Sequence, residues 1–222
     1  MESKFERVGY HFRNMLRLTP RFVRRVLLPA SYLVFLSGML ASAVIFYRGK
    51  PFDAKTAILS DLQSPGENPD GYGPSAAATA IAALLLFPAI KVLHRQLRRA
   101  HPKLAMAGAG MFAVGLASAV AIGVLAPFTH GYTPLHIQLA SIAFIGISAG
   151  ICLHLLAAQA APAPVIFQSV ALLVVVFLCY GPVDFDNSRL LTSLAFWEWV
   201  LCLDCGVALW ALAIVVERKP AQ

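Results

Sequence analysis

Acidic and imidazole side chains that could act as acids, bases or ligands lie in polar segments on one predicted face of this chain. Asp61 lies in the long polar stretch between the first two apolar segments, and His136 opens the fourth. A carboxylate and an imidazole within hydrogen-bonding distance can exchange a proton during catalysis. His130 and Glu198 are predicted on the same face, so these four residues are the catalytic candidates.

Two further carboxylates, Asp184 and Asp186, precede the last apolar segment. With Ser60, Asp61 and His136 they form the predicted ligand-binding set. Carboxylates and imidazoles from three connectors could form a divalent-metal site or an acid–base pair, or be ordinary solvated loop residues. The sequence has no H-E-x-x-H, G-x-S-x-G or phosphate-binding glycine loop. It therefore indicates no cofactor or metal, and favours a binding role over catalysis.

Apolar helices must position these residues. The chain is 59% hydrophobic and 13% charged, whereas an ordinary soluble domain has roughly 25% charged residues. A spanning helix needs about 20 mostly apolar residues. We therefore predict an all-α integral membrane six-helix bundle between residues 26 and 216. The predicted spans are 26–47, 74–93, 104–126, 135–158, 165–180 and 194–216.

The basic residues predict an orientation. Six spans put the following on one side: Lys4, Arg7, Arg13, Arg17, Arg21, Arg24, Arg25, Lys91, Arg95, Arg98, Arg99, Lys103, Arg218 and Lys219. The other side has only Arg48, Lys50, Lys55 and Arg189. By the positive-inside rule both termini, including the tail 217–222, are predicted in the cytoplasm of a bacterial inner membrane. This asymmetry accounts for most of the net charge of +7 without a nucleic-acid partner.

Residues 1–25 are predicted to form a basic amphipathic segment on the cytoplasmic side. Its apolar side chains recur at helical spacing and Pro20 ends it, which suits anionic lipid or a protein partner. An Ala41-Ser42-Ala43 sequence raises the alternative of a cleavable signal peptide. The 25-residue lead and long apolar run favour a retained anchor.

Two ionisable residues are predicted inside the membrane. Asp204 lies near the middle of the last span, where a charge costs roughly 2.5 to 3.5 kcal/mol. It could be protonated and hydrogen-bonded, or functional. His154 lies toward the cytoplasmic end of the fourth span, where a structural hydrogen bond is favoured. Cys202 and Cys205 form C-x-x-C at mid-membrane, and packing is favoured over a metal or redox site.

Small residues dominate the third span. Ala109, Ala113 and Ala117 recur every four residues, and Gly115 and Gly123 lie on an adjacent row. This pattern lets helix backbones approach closely. The neighbour could be another span of this chain or a partner membrane subunit.

The Ser60-Asp61-Leu62 core, followed by Asn68-Pro69, resembles the Ile-Ser-Asp motif of the Frag1/DRAM/Sfk1 membrane proteins and of the related DUF998 family. His136, followed by Ala140 and Phe144, is similar to the His-x-x-x-Ala-x-x-x-Phe pattern of those families. The resemblance implies a role in handling or regulating membrane lipid. It implies no agreed catalytic residues.

Three functional hypotheses follow. The first is a protein that binds or handles membrane lipid at its extracytoplasmic face through Asp61, His136 and their neighbours. The second is a non-catalytic accessory or assembly subunit of a larger membrane complex. The third is a small transporter, for which the sequence shows no internal repeat or paired broken helices.

Overall fold

The computed structural model describes residues 18–49, 51, 53, 58–128, 134–160, 162–180 and 193–218. Its regular structure is helical throughout these ranges, without a strand. The helices are α1 (Pro20–Phe46), α2 (Tyr72–Leu97), α3 (Pro102–Leu125, followed by the 3-10 turn Ala126–Phe128), α4 (Pro134–Ala157), α5 (Pro162–Tyr180) and α6 (Leu194–Arg218).

Five of these helices, α1, α2, α3, α4 and α6, are long and apolar enough to cross a membrane. The predicted all-helical class is confirmed, and the chain has the composition and helix lengths of an integral membrane protein. A helix is also present where the fifth span is predicted. Six crossings and the cytoplasmic position of both termini stay predictions.

The helix ends differ from the ends of the apolar runs. α2 continues past the predicted end of its span to Leu97, which is 1% exposed, so a buried leucine extends the helix through its basic last turn. α1 begins at Pro20, where the Thr19 hydroxyl accepts a hydrogen bond from the Phe22 N–H at 3.2 Å. Proline suits the first turn because its missing N–H has no helical partner there. The predicted amphipathic segment lies outside the described residues from position 1 to 17.

Glycines bring neighbouring helices into backbone contact. A Cβ on Gly115 of α3 would lie 2.5 Å from the Ile147 nitrogen of α4, and one on Gly150 would lie 2.6 Å from the Phe112 Cβ. Gly123 of α3 meets Ala80 of α2 in the same way. The small residues Gly115 and Gly123 are thus used within the chain. The partner-subunit role proposed for Ala109, Ala113 and Ala117 stays a prediction.

The first and last described helices meet at one end of the bundle. Arg24 of α1 and Glu217 of α6 form an ion pair at 2.6 Å. We call this the basic end, because the helices and turns there carry Arg21, Arg24, Arg25, Lys91, Arg95, Arg98, Arg99, Lys103 and Arg218. We call the opposite end of the bundle, where α1 ends at Phe46 and α2 begins at Tyr72, the loop end.

Candidate functional site

Residues 58–71, here called the connector, fold back into the loop end. Leu59 and Leu62 are 2% and 1% exposed and pack with Met39 of α1. Trp199 of α6 packs against the same cluster. The connector is therefore a wedge between α1 and α6, and its leucines supply the apolar surface that holds it there.

Glu198 ties the connector to α6. Its side chain is buried, and Oε2 accepts hydrogen bonds from the backbone N–H groups of Leu59 at 2.8 Å and Ser60 at 3.3 Å. The Ser60 hydroxyl donates to Oε1 at 3.3 Å. Glu198 thus satisfies backbone donors that would otherwise be buried without a partner.

Polar side chains of α1 and α2 hold the other side of the connector. The carbonyl of Leu62 accepts hydrogen bonds from the Ser75 hydroxyl at 2.6 Å and from the Asn68 amide at 3.2 Å. The Ser42 hydroxyl donates to the Gly71 carbonyl at 2.5 Å and accepts from the Ser75 N–H at 2.9 Å. The connector is therefore fixed on both sides, so the position of Asp61 is defined.

Asp61 is half-buried in the 3-10 turn Asp61–Gln63. Burial, and secondarily the Glu67 carboxylate, raise the pKa of Asp61 to about 6, because both disfavour the charged form. The Asp61 carboxylate is close enough to Tyr47 to interact electrostatically with the Tyr47 hydroxyl. Asp61 therefore lies near the end of α1, and its charge changes close to neutral pH.

A cavity of about 110 Å³ lies beneath the connector. Its polar lining comes from Ser60, Gln63, Thr79 and His136, and the Gln63 amide donates to the Thr79 hydroxyl at 3.1 Å. A second cavity of about 120 Å³ shares part of this lining and extends to Ser31. The residues that line both cavities are Phe35, Thr79, Ala119, Phe144, Ile147 and Cys202. Each cavity is large enough for a water molecule, but most of the lining of both cavities is apolar.

The predicted site residues are only partly brought together. Ser60 and Glu198 are in contact, and Ser60 and His136 line one cavity. Asp61 is next to Ser60 in sequence but does not line that cavity. Ser60, the residue before Asp61, thus shares the cavity with His136, and the predicted meeting of Asp61 with His136 stays a prediction. His130, Asp184 and Asp186 lie outside the described residues.

A groove opens between α1 and α6 toward the loop end. The helices touch near their middle, where the Tyr32 hydroxyl donates to the Cys202 carbonyl and packs over Gly206. Beyond this contact the connector holds them apart, leaving a groove of about 650 Å³. Its lining is Leu36, Met39, Leu40, Ala43, Val44, Tyr47, Phe196 and Trp199.

The other predicted intramembrane polar residues lie apart from the connector. His154 is buried, with Nδ1 2.7 Å from the Gly150 carbonyl oxygen. Asp204 is half-buried and lines a separate groove between α5 and α6. Cys202 and Cys205 are free thiols that line the second cavity below the connector.

Several polar residues of the site were not singled out from the sequence, namely Gln63, Thr79, Ser42 and Ser75. One signal could have indicated them. Ser31 and Ser42 are eleven residues apart on α1, which is about three turns, and both are buried. Polar residues aligned on one face of an apolar helix indicate the side that meets other polar groups.

The described atoms of the loop end provide hydrogen-bonding groups above two small cavities and an apolar groove beside them. Within the described ranges, no three or more His, Cys, Asp or Glu residues are grouped so as to hold a metal ion. Comparison of the chain with protein-family models, curated proteins and solved structures gives no match in any of the three.

Proposed function

We propose that this integral membrane protein binds a phospholipid at its loop end, with one acyl chain in the groove between α1 and α6. The observation that carries the proposal is the position of the groove. It follows one face of α1 up to Tyr47, next to the connector that bears Asp61. A polar end and an apolar channel are thus joined at one place.

The length of the groove fits one leaflet of a bilayer. From Leu36 to Tyr47 the helix rises about 16 Å, and half of a hydrocarbon core is about 15 Å. Apart from the Tyr47 hydroxyl and the Trp199 indole nitrogen, the lining side chains are apolar. An acyl chain fills such a groove because an empty one would forfeit van der Waals contacts on both sides.

The mouth of the groove carries groups that suit a zwitterionic head. Arg48 is exposed in the turn after Tyr47, and a guanidinium pairs well with phosphate. Asp61 lies near Tyr47 and provides a carboxylate for an amine. With its pKa raised to about 6, Asp61 is mostly ionised at pH 7.

The proposal includes six crossings, with both termini in the cytoplasm and the loop end at the extracytoplasmic surface of a bacterial inner membrane. The ion pair of Arg24 with Glu217 supports an even number, because it joins the first and last helices at one end. The basic residues at that end support the orientation. The resemblance of Ser60-Asp61-Leu62 to the DRAM and DUF998 families supports a lipid-related role.

A bulky side chain in the groove tests the proposal. Ala43 lines the groove, whereas Ala41 is an exposed position on the same helix outside the lining. Ala43→Phe is expected to lower labelling by a photoactivatable phosphatidylethanolamine about tenfold, equivalent to about 1.4 kcal/mol of binding. Ala41→Phe is the matched control and should label like the wild type. The label should map by mass spectrometry to α1 and α6.

The head-group part has its own test. Arg48→Gln should reduce labelling by the phospholipid while leaving labelling by a photoactivatable diacylglycerol unchanged, since only the phospholipid carries phosphate. Equal labelling of wild type and Ala43→Phe would reject the groove as the acyl site. Loss with both probes in Arg48→Gln would reject phosphate recognition.

A further inference from the structure

α6 has a second groove, on the side that faces α5. It has a volume of about 520 Å³ and lies between the start of α5 and the middle of α6. The α6 lining recurs at three- and four-residue spacing, so it is one continuous face about 16 Å long. The lining residues are Ala163, Pro164, Phe167, Val200, Leu203, Asp204, Val207, Ala208 and Ala211.

Asp204 is the one ionisable residue in this lining. Its Oδ2 is a buried atom that has no hydrogen-bond partner among the described residues. A carboxyl group at such depth costs several kcal/mol unless another group bonds to it. The groove therefore has an apolar wall with one carboxyl group in it, and one oxygen of that carboxyl group has no hydrogen-bond partner among the described residues.

The depth of Asp204 in the membrane limits which groups can bond to its carboxyl group. Asp204 is ten residues beyond Leu194, where α6 begins, which corresponds to about 15 Å along the helix. This is the middle of a hydrocarbon core of about 30 Å. A lipid head group stays at the surface, so it does not reach Asp204. A hydrogen-bond donor on a side chain of another transmembrane helix can reach Asp204.

Among the described residues, no lysine or arginine of a second copy lies at the depth of Asp204. The lysines and arginines of the described helices, including Lys91 and Arg25, lie within about two turns of the basic end. A symmetric contact between two copies through this groove would place two carboxyl groups together. Charge complementarity therefore favours a different partner.

We propose that the groove between α5 and α6 is the docking site of a transmembrane helix from another protein, with a basic or amide side chain at mid-membrane depth bonded to Asp204. The small residues Ala163, Ala208 and Ala211 let a helix backbone approach closely. The side chains of Val207 and Phe167 are 68% and 57% exposed, and they form ridges between which the partner helix can pack. This surface is separate from the proposed lipid groove.

Designed transmembrane peptides test this directly. The full chain, with a fluorescent donor on a C-terminal tag, is placed in phosphatidylcholine vesicles with acceptor-labelled leucine-rich helices of about 20 residues. The peptides carry a central Lys, Gln or Leu. By energy transfer, the Lys peptide should associate with the wild type about tenfold more tightly than with Asp204→Leu, whereas the Leu peptide should not distinguish them.

Two matched variants separate the groove from the charge. Ala211→Phe fills the groove and leaves Asp204 in place, so it should also weaken association of the Lys peptide. Trp210→Leu changes an exposed neighbour outside the lining and should have no effect. Asp204→Asn keeps the side-chain shape and should bind the Lys peptide less tightly than the wild type.

Two outcomes would overturn the proposal. One is equal association of the Lys peptide with wild type, Asp204→Asn and Asp204→Leu. The other is energy transfer between two labelled copies of the chain that Asp204→Leu abolishes and excess Lys peptide leaves intact. That second result would assign the groove to self-association.

Discussion

The interface of α3 with α4 and the interface of α1 with α6 are built differently. Between α3 and α4, Gly115 and Gly146 bring the backbones together, and a Cβ on Gly115 would lie 2.8 Å from the Gly146 carbonyl carbon. Between α1 and α6, the helices meet at Tyr32 and Gly206 and then separate around the connector. The first interface is filled by backbone, and the second leaves a groove of about 650 Å³.

The difference indicates where ligands can bind in a small helical bundle. Glycine-lined contacts leave no room beside the helix backbones, so they contribute packing alone. A loop that enters between two helices holds them apart and brings polar backbone groups with it. In this chain the polar groups bonded to Glu198 and the apolar groove lined by Trp199 therefore occur side by side.

The largest expected effect is a loss of stability, and it tests the α3–α4 interface, where the helix backbones are in contact. Gly115→Val places a side chain 2.5 Å from the Ile147 backbone nitrogen, and overpacking of this kind costs up to about 3 kcal/mol. Thermal unfolding in mild detergent should detect the loss as a lower midpoint. Gly110→Val on the same helix is the control, because a Cβ there meets no atom within 4 Å. Equal midpoints for both variants would show that this contact is not tight.

The second-largest effect tests the hydrogen bonds by which Glu198 holds the connector between α1 and α6. Glu198→Leu leaves the buried N–H groups of Leu59 and Ser60 without their acceptor, which costs about 2 kcal/mol. Hydrogen exchange of residues 59–63 should accelerate about 30-fold, while exchange in α3 stays unchanged. Glu67→Leu, at an exposed connector position, should leave exchange as in the wild type. Unchanged exchange in Glu198→Leu would mean that other contacts hold the connector.

The smallest effect is a pH dependence at Asp61. Its pKa is raised to about 6 in the folded protein by burial and then by Glu67, so the folded state binds more protons than the unfolded state between about pH 4 and 6. Stability therefore falls as pH rises through this window. Because Asp61 is partly exposed, solvent screening limits the change to under about 1 kcal/mol.

Asp61→Asn should remove this contribution. The difference in unfolding midpoint between variant and wild type should then change between pH 4 and 7 and be constant above pH 7. A wild type whose midpoint relative to Asp61→Asn does not change from pH 4 to 7 would place Asp61 in a solvated environment.

The helices could be predicted because each apolar run satisfies its own backbone hydrogen bonds inside a bilayer. The predicted spans 135–158 and 194–216 begin within one residue of the starts of α4 and α6. Helix ends were less accurate. The run ending at Leu93 continues to Leu97 because burial of that leucine, rather than average hydropathy, extends α2.

The candidate site was predictable only as a region. The sequence places Asp61 and Glu198 on one predicted face, but the acceptor role of Glu198 toward the backbone of Leu59 has no sequence signal, since every residue except proline carries an N–H. The cavity that joins Ser60 to His136 likewise depends on how five helices meet. The positions of His130, Asp184 and Asp186 stay predictions.

The sequence by itself determined the helical class, the composition of an integral membrane protein and a small-residue pattern that allows close helix contacts, because transfer free energy and helical periodicity are local properties. The tertiary structure decided which of those contacts close and which stay open. Gly115 closes against α4, whereas Ala43 faces a groove. Both residues are small and lie in apolar helices, but Gly115 lacks a Cβ where α4 approaches, and the connector between α1 and α6 keeps a groove open beside Ala43.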